Sequence, residues 1–172
     1  YEEQQTAFSM MREMLMTSKM DDPKRLREIV AETKSRLQMA FQTSGHSMAA
    51  LRAMSYFSES ACFSDMTGGV DFYHFIEKLD AEFEERQAEA AEELSRLAQD
   101  LFRPENLIVS CTAEKKSLEL LVEQTEKLAA ELYRDEADPA AAWSFRPERK
   151  NEGLKTSAKI QYVARSGSFV KA

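Results

Sequence analysis

The stretch Ser44-Gly45-His46-Ser47, followed by Arg52 and Ser55-Tyr56-Phe57, interrupts one helical pattern and starts another. Ahead of it, Leu26, Ile29, Val30, Thr33, Leu37, Ala40 and Phe41 recur at the spacing of a single helix face. Gly45 suits the left-handed position just past a helix end. Ser47 suits the cap of a shorter helix carrying Met48, Leu51, Met54 and Tyr56. His46 sits among hydroxyls at this break, which makes it the first residue to weigh as a site.

Working upstream, Asp21-Asp22-Pro23 reads as a helix start, because Asp caps free backbone N–H groups and Pro at the first position gives up no needed donor. A first helix precedes it over about residues 1–18, with Phe8, Met11, Met14 and Leu15 on one stripe. Downstream, Thr67-Gly68-Gly69 closes an irregular stretch. The longest pattern follows, Phe72, Phe75, Ile76, Leu79, Phe83, Ala90, Leu94, Leu97 and Leu101, with a bend expected near Asp80. Arg103-Pro104 stops it, since Pro disfavours a helical residue before it.

Leu107 to Thr112 is short, apolar and partly β-branched, which predicts a buried strand. Thr112 is placed to cap the next helix, whose stripe is Leu118, Leu121, Val122, Thr125, Leu128, Ala129 and Leu132. A second strand is expected from 158, where Ile160, Tyr162 and Ala164 alternate with Lys159, Gln161 and Arg165. Two such strands do not make a stable sheet. The expected class is therefore α+β, predominantly helical, with an incomplete sheet. Its segments are residues 1–134 as helices, a strand and a last helix, 135–157 as a linker around Trp143, and 158–172 as the first strand of a following domain.

Composition narrows the function. A chain of 172 residues, 43% hydrophobic and 31% charged, suits a folded protein of one domain or one and part of another. Five Gly and four Pro leave little loop, and nine Met with ten Phe suit an adaptable helical core. A net charge of −7 disfavours nucleic acid as a partner. The charge is uneven, with eight acidic against two basic residues over 77–93 and seven basic against two acidic over 144–172. No apolar run reaches the length of a membrane span. Cys62 and Cys111 belong to no paired motif and read as buried small hydrophobes, not a disulfide or metal site, in a reducing, cytoplasmic setting. The chain begins without Met inside a helical pattern, so it is expected to be a piece of a longer polypeptide, with any targeting signal upstream.

Several stretches in order resemble one family. Met20-Asp21-Asp22-Pro23-Lys24-Arg25-Leu26, the Ser44-Gly45-His46-Ser47 break, and Gly69 with Phe72 and Tyr73 are similar to a region of the pitrilysin/insulinase zinc peptidases, in the presequence-protease-like subfamily. Arg103-Pro104-Glu105-Asn106-Leu107-Ile108-Val109-Ser110-Cys111-Thr112 resembles that family's asparagine, apolar strand and Ser-x-Thr segment. Lys150-Asn151-Glu152-Gly153 and Ile160-Gln161-Tyr162-Val163-Ala164 resemble the approach to its last domain. The resemblance implies a clam-shell enzyme of four paired α+β domains around a chamber for unfolded peptides. This chain would be the rear of the third domain and the first strand of the fourth, in the half without zinc. The zinc motif H-x-x-E-H with its distant Glu, and the Arg and Tyr that hold the substrate carbonyl, correspond to no residue here.

The expected site list is accordingly empty, with no catalytic, cofactor-binding or metal residues. Zinc belongs to the parent enzyme, where by resemblance a metal-activated water attacks the peptide bond with a Glu as general base. His46 and His74 are 28 residues apart with no second ligand at a helical turn, so a metal site from them and Cys62 weighs less than ordinary packing. The acidic stretch 77–93 reads either as a chamber wall attracting cationic peptides or as a solvated helix face. Glu82 with Arg86 and Glu92 with Arg96 are i,i+4 pairs, whereas Glu85 and Glu89 repel at that spacing. The expected partners are the rest of the peptidase chain, peptide substrates in the parent, and a second copy through exposed strand and helix faces. Two other readings stay open: a stand-alone helical scaffold or interaction module, and an inactive subunit pairing with a zinc-bearing one.

Overall fold

Amphipathic stripes close together in sequence build this protein. The computed structural model describes residues 2–135, 144–157 and 159–168. Among them run α1 (Glu2–Thr17), α2 (Pro23–Thr43), α3 (Gly45–Ser55), α4 (Glu59–Gly68), α5 (Val70–Ala81), α6 (Phe83–Leu101), a 3-10 turn (Pro104–Asn106) and α7 (Lys115–Glu131). The chain divides into two compact units, Tyr1–Pro23 with Gln87–Ala140, and Lys24–Arg86 with Ala141–Ala172. Of the expected linker, 136–143 with Trp143 lies outside the described residues, as do Ala158 and 169–172.

In the first unit α1 packs on α7, and Arg12 pairs with Glu131 across them at 2.9 Å. Ala98 of α6, Gln124 and Leu128 of α7, and Leu132 are buried. The end of α6 has a local cause. Pro104 forbids continuation, and the Asn106 side-chain amide donates to the carbonyls of Asp100 (3.0 Å) and Leu101 (3.2 Å). The Tyr133 N–H then reaches the Phe102 carbonyl at 3.1 Å, closing the turn onto the end of α7.

In the second unit α3 packs on α4 and α4 on α5. Ring and polar contacts join α2 to α5. Phe41 meets Tyr73 edge-on at 5.1 Å, the Gln38 amide donates to the Tyr73 hydroxyl at 3.2 Å, and Lys34 pairs with Asp80 at 2.9 Å. Arg27 pairs with Asp80 at 3.2 Å and lies over the Phe83 ring at 5.3 Å. Rising numbers on α2 meet falling numbers on α5, so the two helices are antiparallel. Val30 and Leu37, two helical turns apart on α2, are buried, as are Val70, Ile76, Leu79 and Phe83.

Four expectations change. First, the described residues form no strand. Residues 107–112 and 159–165 carry no ladder, and Ile108 and Val163 are 91% and 85% exposed. An apolar, β-branched run becomes a strand only when another strand accepts its hydrogen bonds, so the incomplete sheet is absent here and the described residues are helical or irregular. Second, the pattern over 71–102 is two helices, broken at Glu82 (φ −101°, ψ 16°) rather than gently bent near Asp80. Third, the stretch before Thr67-Gly68-Gly69 is helix α4, capped by Ser58, whose side chain accepts from the Ala61 N–H at 3.4 Å. Ala61, Cys62, Phe63 and Met66 spread around that helix rather than along one stripe, so periodicity is silent there. Fourth, Thr112 caps nothing, and Glu114 holds the cap position of α7.

Asp80 supplies a test of the α2–α5 contact. The hydrogen bond from Lys34 holds its carboxyl below the usual carboxylate range, against the opposing effect of burial. The same bond holds the Lys34 ammonium above its usual range. Stability from Asp80 is therefore present above the ordinary carboxylate range and is lost as pH falls through its depressed value. Asp80→Ala is expected to cost about 0.5–1 kcal/mol in urea unfolding at neutral pH. The gap to wild type should shrink in acid.

Candidate functional site

The break at Ser44 opens a helix whose inner face carries a charge. Gly45 is the first residue of α3 and not a left-handed stop, since no described glycine has positive φ. Ser44, rather than Ser47, holds the cap position, and its carbonyl accepts from the N–H groups of Ser47 (3.0 Å) and Met48 (3.1 Å). Gly45 is required for another reason. A Cβ there would stand 2.8 Å from Cδ2 of Tyr162, so the aromatic ring lies directly on the backbone.

About two turns on, α3 presents Arg52, a residue only 8% exposed. Its Nη1 donates to Oδ2 of Asp65 at 2.5 Å and pairs with Oδ1 of Asp71 at 2.9 Å. Its Nε donates to Oε1 of Glu152, which also accepts from the Tyr56 hydroxyl at 2.5 Å. The guanidinium carbon lies 5.6 Å from the Tyr56 ring centre. One cation thus gathers carboxylates from α4, from α5 and from the irregular C-terminal stretch.

Asp65 is completely buried and has a second task. Its Oδ1 accepts the Val70 N–H at 2.9 Å and its Oδ2 the Asp71 N–H at 3.4 Å. These are free donors at the start of α5, where a carboxylate also complements the helix dipole. The turn works only with glycine at 69, where a Cβ would overlap the Asp65 carboxylate and come within 2.9 Å of its Cα.

Burial opposes the charge on Arg52, but the hydrogen bonds to Glu152 and Asp65 outweigh it and hold its pKa above the ordinary arginine value. Burial first, then the bond to Glu152, pushes the Tyr56 hydroxyl up to about 12. The bond from Arg52 holds Glu152 below the usual carboxylate range. Each shift stabilises the protonation state that keeps the cluster closed.

Beside the cluster lies a groove of about 670 Å³ between α3 and the segments 150–156 and 160–164, with Phe41, Met48, Ala53, Ile160 and Tyr162 among its walls. Further contacts hold this stretch along the helices. Gln42 donates to Ser157 at 3.1 Å, Ser166 donates to the Ala53 carbonyl, Arg149 lies 4.7 Å over Phe57, and Phe145 meets Phe63 at 5.5 Å.

The residues first weighed for chemistry do not converge. His46 is exposed beside the Tyr162 ring at 5.8 Å, and exposed His74 lies 3.7 Å from Glu77. Cys62 is half-buried and Cys111 exposed, both free thiols. No group of three His, Cys, Asp or Glu among the described residues is arranged to hold a metal. In the acidic stretch Arg96 pairs with Glu93 at 2.6 Å, and Lys78 lies 4.0 Å from Glu82. Arg52 was visible as a lone charge in an apolar helix. Its partners Asp65, Asp71 and Glu152 were not, because two lie across turns and one is 100 residues away.

Comparison with known proteins places the chain. Residues 1–79 match the family described as "Peptidase M16C associated". The chain is 25% identical over 163 residues to "Protein HypA" of Clostridium perfringens, covering 95% of this chain and 16% of that protein. It is 23% identical over 162 residues to "Presequence protease 1, chloroplastic/mitochondrial" of Arabidopsis thaliana, covering 94% and 15%. Over 111 residues it is 29% identical to "Presequence protease, mitochondrial" of Yarrowia lipolytica, covering 62% and 11%. The chain thus spans about one sixth or less of the length of these curated relatives.

The ion cluster makes a graded prediction. Arg52→Met leaves a buried carboxylate without its cation and should cost about 3–5 kcal/mol in urea unfolding. Asp71, whose side chain is 41% exposed, contributes less, and Asp71→Asn should cost about 1 kcal/mol or less.

Proposed function

We propose that this chain, whose residues 1–79 are a peptidase M16C-associated region, serves as a non-catalytic segment of a zinc metalloendopeptidase that degrades unstructured peptides in a closed chamber. It forms part of the wall opposite the zinc half and carries the connection into the last domain. The observation that supports this reading is the family match together with a polar centre turned on itself. The charges around Arg52 engage one another across α3, α4, α5 and the C-terminal stretch, which is the arrangement of a structural junction rather than of a reactive site. Residues 1–134, 135–157 and 158–172 are then a partial third domain, a linker and the first strand of the fourth. Zinc, and the chemistry it supplies, belongs to the rest of the parent chain. A reducing, cytoplasmic setting is part of the same proposal and accords with free Cys62 and Cys111.

Residues 107–112 and 159–165 fit this role as strands whose ladder partners belong to the parent. Val109 and Cys111 already line a shallow groove with Leu118, Leu121 and Val122 of α7, and Val122 is exposed. In the chain on its own, such surface favours self-association. Light scattering at high concentration should report species larger than a monomer, and a strictly monomeric chain counts against the incomplete sheet.

The central test is direct. The chain is expected to retain no stoichiometric zinc after dialysis and to leave an unstructured peptide uncut. Zinc at one equivalent together with turnover overturns the reading. The coding sequence on either side separates the remaining views. An upstream H-x-x-E-H in the same frame supports the peptidase segment, and such a motif in an adjacent gene supports an inactive paired subunit.

A further inference from the structure

The three carboxylates on Arg52 are not equivalent. Asp65 is fully buried and also holds the first N–H groups of α5, so it is inseparable from the helical fold. Asp71 sits in the first turn of α5 itself. Glu152 is different. It lies in a stretch without secondary structure, its side chain is 35% exposed, and it is 100 residues from Arg52 in the chain. Losing it leaves Arg52 still paired with two aspartates.

We infer that Glu152 is a releasable clasp: its bonds to Arg52 and Tyr56 strap residues 150–157 across the groove beside α3, and the strap opens without loss of the helices. The arrangement of partners explains why. Glu152 holds Arg52 and Tyr56 with one oxygen, Oε1, and the partners lie on α3 and at its C-cap, so both bonds fail together when that oxygen leaves.

The charged groups facing Glu152 are Arg52 on α3, Asp65 on α4 and Asp71 on α5 through Arg52, and Lys150 on its own segment. Tyr56 remains a neutral donor through the physiological range. Because Glu152 is held below the usual carboxylate range by Arg52, the clasp is closed above that range. It opens as pH falls through the depressed value. The inference concerns the chain path at Glu152 and does not depend on the peptidase reading.

Limited trypsin digestion of the 172-residue chain tests it, reading cleavage after Lys150 and Lys155 in the strap and after Lys34 and Lys78 in the helices of the same unit. Glu152→Gln should speed cleavage in the strap about tenfold at neutral pH, with helical cleavage and far-ultraviolet circular dichroism unchanged. Tyr56→Phe removes only the second bond and should give a rise of about two- to threefold. In wild type, hydrogen exchange corrected for intrinsic rates should show the strap amides losing protection in acid before those of α3–α5. Equal strap cleavage in Glu152→Gln and wild type overturns the proposal. So does a rise in helical cleavage in step with the strap.

Discussion

A guanidinium taken out of water must be neutralised where it lies, and Arg52 does this by drawing three separate pieces of chain to one point. That requirement orders much of the second unit. Asp65 can reach Arg52 only if α4 ends where it does, and α4 can end there only because Gly69 lets the backbone pass over the Asp65 carboxylate. The same carboxylate then starts α5 by accepting its first N–H groups. A buried ion pair of this kind adds little net stability over an apolar core of the same shape. Its effect is specificity: one arrangement of α3, α4 and α5 satisfies the charge, and slipped packings leave it unpaired.

The two units are built on different balances. In the first, α1 and α7 are joined by apolar contact and one exposed ion pair, with Asn106 finishing α6. In the second, polar contacts at intervals along α2 and α5 set the register. Lys34 and Arg27 reach Asp80, and Gln38 reaches Tyr73. Apolar stripes allow helices to slide by a turn at modest cost, whereas a charge that must meet its partner does not. The junction at Ser44–Ser47 belongs to this scheme, since it sets the direction of α3 and hence where Arg52 points.

The described residues of the C-terminal stretch are irregular and tied to α3 at Glu152, Tyr162 and Ser166 and to α2 at Ser157. Its alternation of apolar and polar residues is that of a strand, and its surroundings supply helices rather than a ladder. The curated relatives are about six times the length of this chain, and under the proposed function the partners for this alternation lie elsewhere in a longer polypeptide. The tie at Glu152 is then the place where the helical unit hands the chain on.

The sequence by itself determined most of the helices, α4 and the break at Glu82 excepted: their stripes, the Pro23 start, the Pro104 stop and the break near Ser44 are local signals, readable because helix hydrogen bonds close within a few residues. It also carried enough ordered matches to indicate the peptidase family. Tertiary structure alone decided the rest. That the Tyr162 ring, more than 100 residues away, lies against the backbone at Gly45 is recorded only in the fold. Whether residues 107–112 became a strand depended on a neighbour to bond with. That Arg52 is the centre of the site, with Asp65, Asp71 and Glu152 as its partners, depended on burial, which no spacing in the chain records. Local hydrogen bonds are written in neighbouring residues; the pairing of a buried charge is written only in the fold.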